Sequence, residues 1–142
     1  MPTRKASAVW EGGFQKGKGS FTAESGAVGG DYSAGSRFEN AGGSNPEELI
    51  AAAQAACYSM ALSLGLEKAG MKPERVQTDA ACTIEKVGDG FQITTMKLTV
   101  RASVPGADRD AFKDIAEATK DGCPVSKALL GNVDITVDAQ LV

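Results

Sequence analysis

Residues 5–12 alternate, with Ala6, Ala8 and Trp10 set against Lys5, Ser7 and Glu11. That period of two predicts a half-buried strand. Gly12-Gly13 turns the chain, and Lys18 to Ser25 predicts a second strand paired with the first as a hairpin. Residues 26–36 are rich in Gly and Ser and read as a loop. Arg37-Phe38-Glu39 reads as a short third strand, and Gly42-Gly43-Ser44 as another turn. Asn45-Pro46-Glu47-Glu48 then marks a helix start: Asn45 as cap, Pro46 in the first helical position, Glu48 placed to close a capping box. From Leu49 to Leu66 the helix is apolar almost all round, which predicts burial on most sides. Glu67, Lys68 and Gly70 end it.

The second half is richer in strands. Val76, Thr78, Ala80, Cys82 and Ile84 share one strand face, Gly88-Asp89-Gly90 turns the chain, and Phe91 to Val104 forms a partner strand with Ile93, Leu98 and Val100 as apolar members. Asp108 or Asp110 caps a helix through about Lys120, burying Phe112, Ile115, Ala116 and Thr119. Cys123-Pro124 opens a short helix to Leu130, and Val133 to Val142 alternates as a last strand. The order β-β-β-α-β-β-α-α-β, with hairpins dominant, gives an α+β class in one domain over 1–142. One thin sheet cannot cover a helix that is apolar on every side, and a second copy can, so an obligate homodimer is expected.

Net charge is −3 with Lys and Arg dispersed, which disfavours nucleic acid and anionic membrane as partners. No apolar leader follows the N-terminus, and no stretch reads as a span of about 20 apolar residues. The expected compartment is the cytoplasm. The three cysteines, at 57, 82 and 123, show no Cys-x-x-Cys spacing, so a structural zinc is not expected. The chain has no histidine, which removes Ser-His and Cys-His nucleophile pairs and the commonest metal ligand. Catalysis by a thiol must then draw on positive charge, a helix dipole or desolvation.

Position alone favours a packing role for Cys57, in the middle of the apolar helix. Cys123, just before Pro124 at a helix start, fits a stabilised thiolate and an ordinary cap alike. Cys82, on the apolar face of a strand, reads as packing.

Three segments carry a resemblance. Asn45-Pro46-Glu47-Glu48-Leu49, Ala55-Ala56-Cys57-Tyr58-Ser59-Met60-Ala61-Leu62 and Gly122-Cys123-Pro124-Val125-Ser126 resemble the OsmC/Ohr family of hydroperoxide reductases. Trp10-Glu11-Gly12, Gly17-Lys18-Gly19, Ser36-Arg37-Phe38-Glu39 and Val104-Pro105-Gly106 are similar to the OsmC branch. The resemblance implies an intertwined homodimer with active sites at the interface. It implies a stress-response peroxidase acting on organic hydroperoxides and more weakly on hydrogen peroxide, recycled by an external dithiol such as a dihydrolipoyl group, with no metal or organic cofactor. It gives Cys57 the attacking role and Cys123 the resolving role through a Cys57–Cys123 disulfide, with Arg37 stabilising the thiolate and Glu47 holding Arg37.

Helix geometry bears on these roles. At about 100° per residue, Glu47 lies about 80° from Cys57 while Glu48 points to the opposite side, which favours Glu47 for the site and Glu48 for the cap, although both could simply cap. Ten residues of helix put Glu47 about 15 Å along the axis from Cys57, so the catalytic set is expected to be completed across a two-fold. Phe38, Tyr58, Met60 and Met71 are candidate walls for an alkyl or aryl hydroperoxide. The competing function is a thiol redox sensor or disulfide carrier, which would keep both cysteines and have no need of Arg37.

Overall fold

A computed structural model describes residues 1–142. By its internal contacts the chain falls into two compact units, Met1–Leu49 and Ile50–Val142.

In the first unit, β1 (Ala6–Glu11), β2 (Lys18–Ala23) and β3 (Gly29–Tyr32) form an antiparallel sheet in that order. The third strand therefore lies at 29–32, inside the segment expected to be a loop. Its first two residues are glycines, and strand pairing needs only their backbone groups, so composition hides it. Arg37-Phe38-Glu39 is not a strand. Arg37 and Phe38 end a short helix, α1 (Ala34–Phe38), and Glu39 caps its C-terminus. The cause is a reciprocal cap: Ser36 N–H donates to Ser33 Oγ at 3.0 Å, and Ser33 N–H donates to Ser36 Oγ at 2.8 Å.

The long helix α2 (Pro46–Lys68) begins as expected, with Glu48 N–H donating to Asn45 Oδ1 at 2.8 Å. The Glu48 carboxylate accepts from Ser44 Oγ instead of closing the box on Asn45. Gly70, at φ +82°, supplies the left-handed turn after the helix end.

In the second unit, β4 (Arg75–Val87) and β5 (Gly90–Ser103) form a long antiparallel hairpin closed by Gly88-Asp89. The register slips at Thr83/Ile84, so Thr94 stands unpaired as a bulge. That extra residue puts Ile93 on the core side of the sheet along with even-numbered Met96, Leu98 and Val100. Helices α3 (Arg109–Gly122) and α4 (Pro124–Leu129) then cross over to β6 (Asp134–Leu141), which pairs parallel to β5. Asp108 caps α3 through Ala111 N–H.

Gln54, Tyr58, Leu62 and Leu66, one helical turn apart, form the fully buried stripe of α2. Gly65 allows close approach to α3, since a Cβ there would come within 3.1 Å of Ile115. The opposite stripe is open: Met60 is 76% and Leu64 51% exposed. Burial on most sides is thus not achieved within one chain. By length and composition α2 is also apolar enough to cross a membrane, contrary to the expectation that no stretch is. Its buried stripe nevertheless carries an amide and a phenol, both hydrogen-bonded within the fold.

Tyr58 Oη donates to the Ala116 carbonyl at 2.8 Å, and burial pushes its phenol up, so it stays a donor. Tyr58→Phe keeps the ring and removes the donor. Unfolding free energy should fall by about 1 kcal/mol, read as a lower urea midpoint at constant m. An unchanged midpoint would mean the hydroxyl contributes nothing.

Candidate active site

Two pairs of candidate side chains come together, one pair in each unit. In the first, α1 delivers Arg37 and the first turn of α2 delivers Glu47. Arg37 Nη2 and Nε donate to Glu47 Oε1 at 2.7 and 3.0 Å, and Nε reaches Oε2 at 3.3 Å. Glu47 is buried and Arg37 about one third exposed. The carboxylate therefore occupies one edge of the guanidinium, and Nη1 makes no hydrogen bond and can serve a ligand. Asn45 ties the two elements together: Nδ2 donates to the Ser36 carbonyl at 2.9 Å while Oδ1 caps α2.

Arg37 also lines an apolar cavity of about 230 Å³ with Trp10, Phe14, Tyr32, Ser33, Ala34 and Pro46. Trp10 and Tyr32 meet as a tilted ring pair with centroids 5.4 Å apart, made possible by Gly19, where a Cβ would fall 2.5 Å from the Tyr32 ring. Phe38 lies against the Arg37 guanidinium and beside Phe14.

In the second unit, Cys57 flanks the buried stripe of α2 and is half-buried. Cys123 is fully buried, at the junction where α3 ends and α4 begins. The two thiols lie close enough to shift one another and are not disulfide-linked. Burial and the Cys123 contact push the Cys57 thiol up, against a smaller opposing pull from the Val125 N–H. Burial also raises Cys123, but the Cys57 thiol, the Ser126 and Val125 N–H groups and the Ser126 hydroxyl outweigh it, and the net direction is down. With α4 only six residues long, these are individual nearby donors rather than a developed macrodipole. Left to these surroundings, Cys123 is the more acidic of the two thiols. Cys82 lies on β4, paired across the sheet with Met96.

Of the candidate pocket residues in this unit, Tyr58 cannot serve as a wall. It is fully buried in the core with its hydroxyl engaged. Met60 stands exposed on the open stripe of α2, and Met71 packs on the core edge. No group of three or more His, Cys, Asp or Glu side chains is placed to hold a metal.

A family model described as OsmC-like protein matches residues 39–138. The chain belongs to the OsmC family. It is 46% identical over 139 residues to Peroxiredoxin OsmC of Escherichia coli (strain K12), covering 97% of this chain and 96% of that protein. It is 33% identical over 96 residues to the Organic hydroperoxide resistance protein of Xanthomonas axonopodis pv. citri (strain 306), covering 67% of this chain and 66% of that protein. Among solved structures, OhrB of Bacillus subtilis superposes with a TM-score of 0.76 at 27% identity, covering 96% of this chain and 98% of that one. An OsmC protein from Legionella pneumophila, at 22% identity, shows the fold alone with a TM-score of 0.73, covering 96% of each chain.

This OsmC-family chain carries further groups that sequence reasoning passed over. Gln54 Nε2 donates to Ser126 Oγ at 2.8 Å, and both are fully buried. Gln54 is the one polar residue between Leu49 and Ala56, a signal that was legible. Trp10, Phe14 and Tyr32 were not legible as one wall, because they converge only through sheet pairing and the loop at 12–17.

Asn45→Ala removes the α2 cap and the tie to α1 together. It should cost about 1 kcal/mol and lower the thermal midpoint by a few degrees. Asn45→Asp retains the cap and loses the donor to Ser36, so it should fall between parent and Asn45→Ala. Equal melting of Asn45→Asp and Asn45→Ala would show that the cap contributes nothing.

Proposed function

We propose that this chain, a peroxidase, reduces organic hydroperoxides to alcohols through Cys57 and Cys123. The observation that carries this is the mutual interaction of the two thiols, each of which shifts the other, and it supports a reading in which one sulfur attacks and the other resolves. The Cys57 thiolate attacks the distal peroxide oxygen, the O–O bond breaks, and the alcohol leaves with a proton. Cys57 is left as a sulfenic acid. Cys123 attacks that sulfur, water departs and a disulfide forms; an external dithiol, of the dihydrolipoyl kind, reduces it by exchange. No step needs a metal or an organic cofactor. Three unlinked cysteines suit a reducing, cytoplasmic setting.

The raised Cys57 thiol needs a cation before it can act at neutral pH. Arg37 is the proposed source: its Nη1 edge is open, and Glu47 holds the rest of the fork. The same guanidinium stabilises negative charge on the leaving oxygen. The cavity beside it, walled by Trp10, Phe14 and Tyr32, suits an alkyl or aryl group better than hydrogen peroxide. We assign Arg37 and Glu47 to Cys57 of a partner copy, in a homodimer that covers the exposed Met60 and Leu64 stripe. The names of the relatives, a peroxiredoxin and an organic hydroperoxide resistance protein, support the substrate class.

Turnover of cumene hydroperoxide with dihydrolipoamide should vanish in Cys57→Ser and Cys123→Ser and persist in Cys82→Ser. Full activity in Cys57→Ser would sink the proposal. Arg37→Lys should collapse the peroxide rate while dithiol–disulfide exchange survives; loss of neither would favour a redox carrier. Cys57→Ser and Arg37→Ala, refolded together in equal amounts, should recover about one quarter of parental activity, because half the dimers are mixed and each holds one intact site. No recovery, with dimer formation verified, would place Arg37 and Cys57 of one chain in one site.

The thiol environment sets the pH dependence. In Arg37→Ala the first thiolate to form as pH rises should be Cys123, and the peroxide rate should climb only above the ordinary thiol range. The parent should reach its plateau below that range. Coincident profiles would exclude Arg37 as the activator of Cys57.

A further inference from the structure

A disulfide joining two sulfurs in unlike surroundings can be opened from either end. We propose that the reductant attacks Cys57 Sγ and Cys123 leaves as the thiolate, with Ser126 and Gln54 as the positioning pair that holds the departing charge. The inference rests on Cys57 and Cys123 acting as the attacking and resolving cysteines.

Three observations support it. The first is access. Exchange requires the incoming sulfur to reach its target along the S–S axis. Cys123 is fully buried, whereas Cys57 is half-buried at the edge of the packed stripe of α2. The route a peroxide must use to reach Cys57 serves the reductant too.

The second is the donor set. Cys123 stands at the N-cap of α4 without a formed cap hydrogen bond, and the nearby Val125 and Ser126 N–H groups and Ser126 hydroxyl draw its thiol down. Cys57 shares only the Val125 N–H. Negative charge developing on the leaving sulfur is therefore better held at Cys123, and the better-stabilised thiolate leaves faster.

The third is the direction of the Ser126 proton. Ser126 Oγ accepts from Gln54 Nε2 at 2.8 Å. A hydroxyl that accepts there has its one proton free to turn towards sulfur. Gln54 Oε1 is buried without a hydrogen-bond partner, so the amide holds this orientation at the expense of its own carbonyl. Such an orphan in a native core calls for an explanation, and directing Ser126 supplies one.

The step balances as follows. A reductant thiolate forms a bond to Cys57 Sγ, the Cys57–Cys123 bond breaks, and its electron pair goes to Cys123 Sγ. The second thiol of the dithiol loses its proton and attacks the reductant sulfur of the mixed disulfide. Cys57 leaves as thiolate, and the reductant departs as a cyclic disulfide. Two electrons pass from dithiol to protein.

The test uses the full chain carrying Cys82→Ser. One equivalent of cumene hydroperoxide is added, and peptide mapping checks for the Cys57–Cys123 disulfide. Its absence would overturn the proposed function itself, before the present inference is reached. The oxidised protein is then mixed briefly with glutathione, quenched in acid and mapped for adducts. At least about tenfold more adduct on Cys57 than on Cys123 is expected; equal amounts, or an excess on Cys123, overturns the proposal.

The positioning pair is read separately. Ser126→Ala should slow reduction by dihydrolipoamide about tenfold more than it slows single-turnover oxidation, and Ser126→Thr should restore the ratio. Gln54→Glu, whose carboxylate competes for the Ser126 proton, should shift the ratio in the same direction as Ser126→Ala. If Ser126→Ala does not fold, Gln54→Met/Ser126→Ala removes donor and acceptor together and replaces it. Equal slowing of both steps in these variants would leave Ser126 and Gln54 a packing role only and overturn their assignment.

Discussion

The packing of one stripe of α2 within the second unit is the contact that sets how Cys57 and Cys123 are presented to each other. Gln54, Tyr58, Leu62 and Leu66 are drawn into the core, and two of them are tied there by hydrogen bonds to Ser126 and Ala116. Those anchors lie one residue before and one residue after the three-residue interval that holds Cys57. They set the rotation of the helix, and hence which way the sulfur faces. The same two bonds fix α3 and α4, between which Cys123 sits. A helix turned by one residue would swap Cys57 for Ala56 or Tyr58 at that position.

A chain without histidine must make its thiolate by other means, and the two sulfurs divide the available means between them. Cys123 has N–H groups and a hydroxyl within the chain, and its thiol is drawn down. Cys57 has burial and a competing thiol, and is pushed up. A charge-assisted pair of Arg37 and Glu47 stands in the first unit, with one guanidinium edge occupied and the other open. Under the proposed mechanism, desolvation would make Cys57 reactive only where a guanidinium is presented to it. The apolar cavity beside Arg37 sets hydrocarbon-lined space next to that charge.

Much of this was legible in the chain. The Asn45-Pro46 start, the extent of α2, the Gly88-Asp89 hairpin, the Asp108 cap and the Cys123-Pro124 junction all follow from local rules that the fold obeys. Two regions were misread for a definable reason. Gly29-Gly30 pairs in a sheet through backbone groups alone, which side-chain pattern cannot reveal. Arg37 lies in a helix because Ser33 and Ser36 cap each other, a signal outweighed by the surrounding glycines. The candidate wall residue Tyr58 points into the core instead, because residues adjacent in sequence face different ways on a helix.

The amino-acid sequence by itself determined the α+β class and the absence of a histidine route, and its motifs pointed to the family, whose resemblance named Cys57, Cys123, Arg37 and Glu47 as candidates. The class and the motifs depend on residue type and on spacing along the chain, which are local properties. Tertiary structure alone decided that Glu47 occupies just one edge of Arg37, that Trp10, Phe14 and Tyr32 converge on one cavity, and that Gln54 reaches Ser126 across 72 positions of chain. Those facts are long-range pairings, set by sheet register and by the angle at which helices cross. Sequence periodicity carries no information about either.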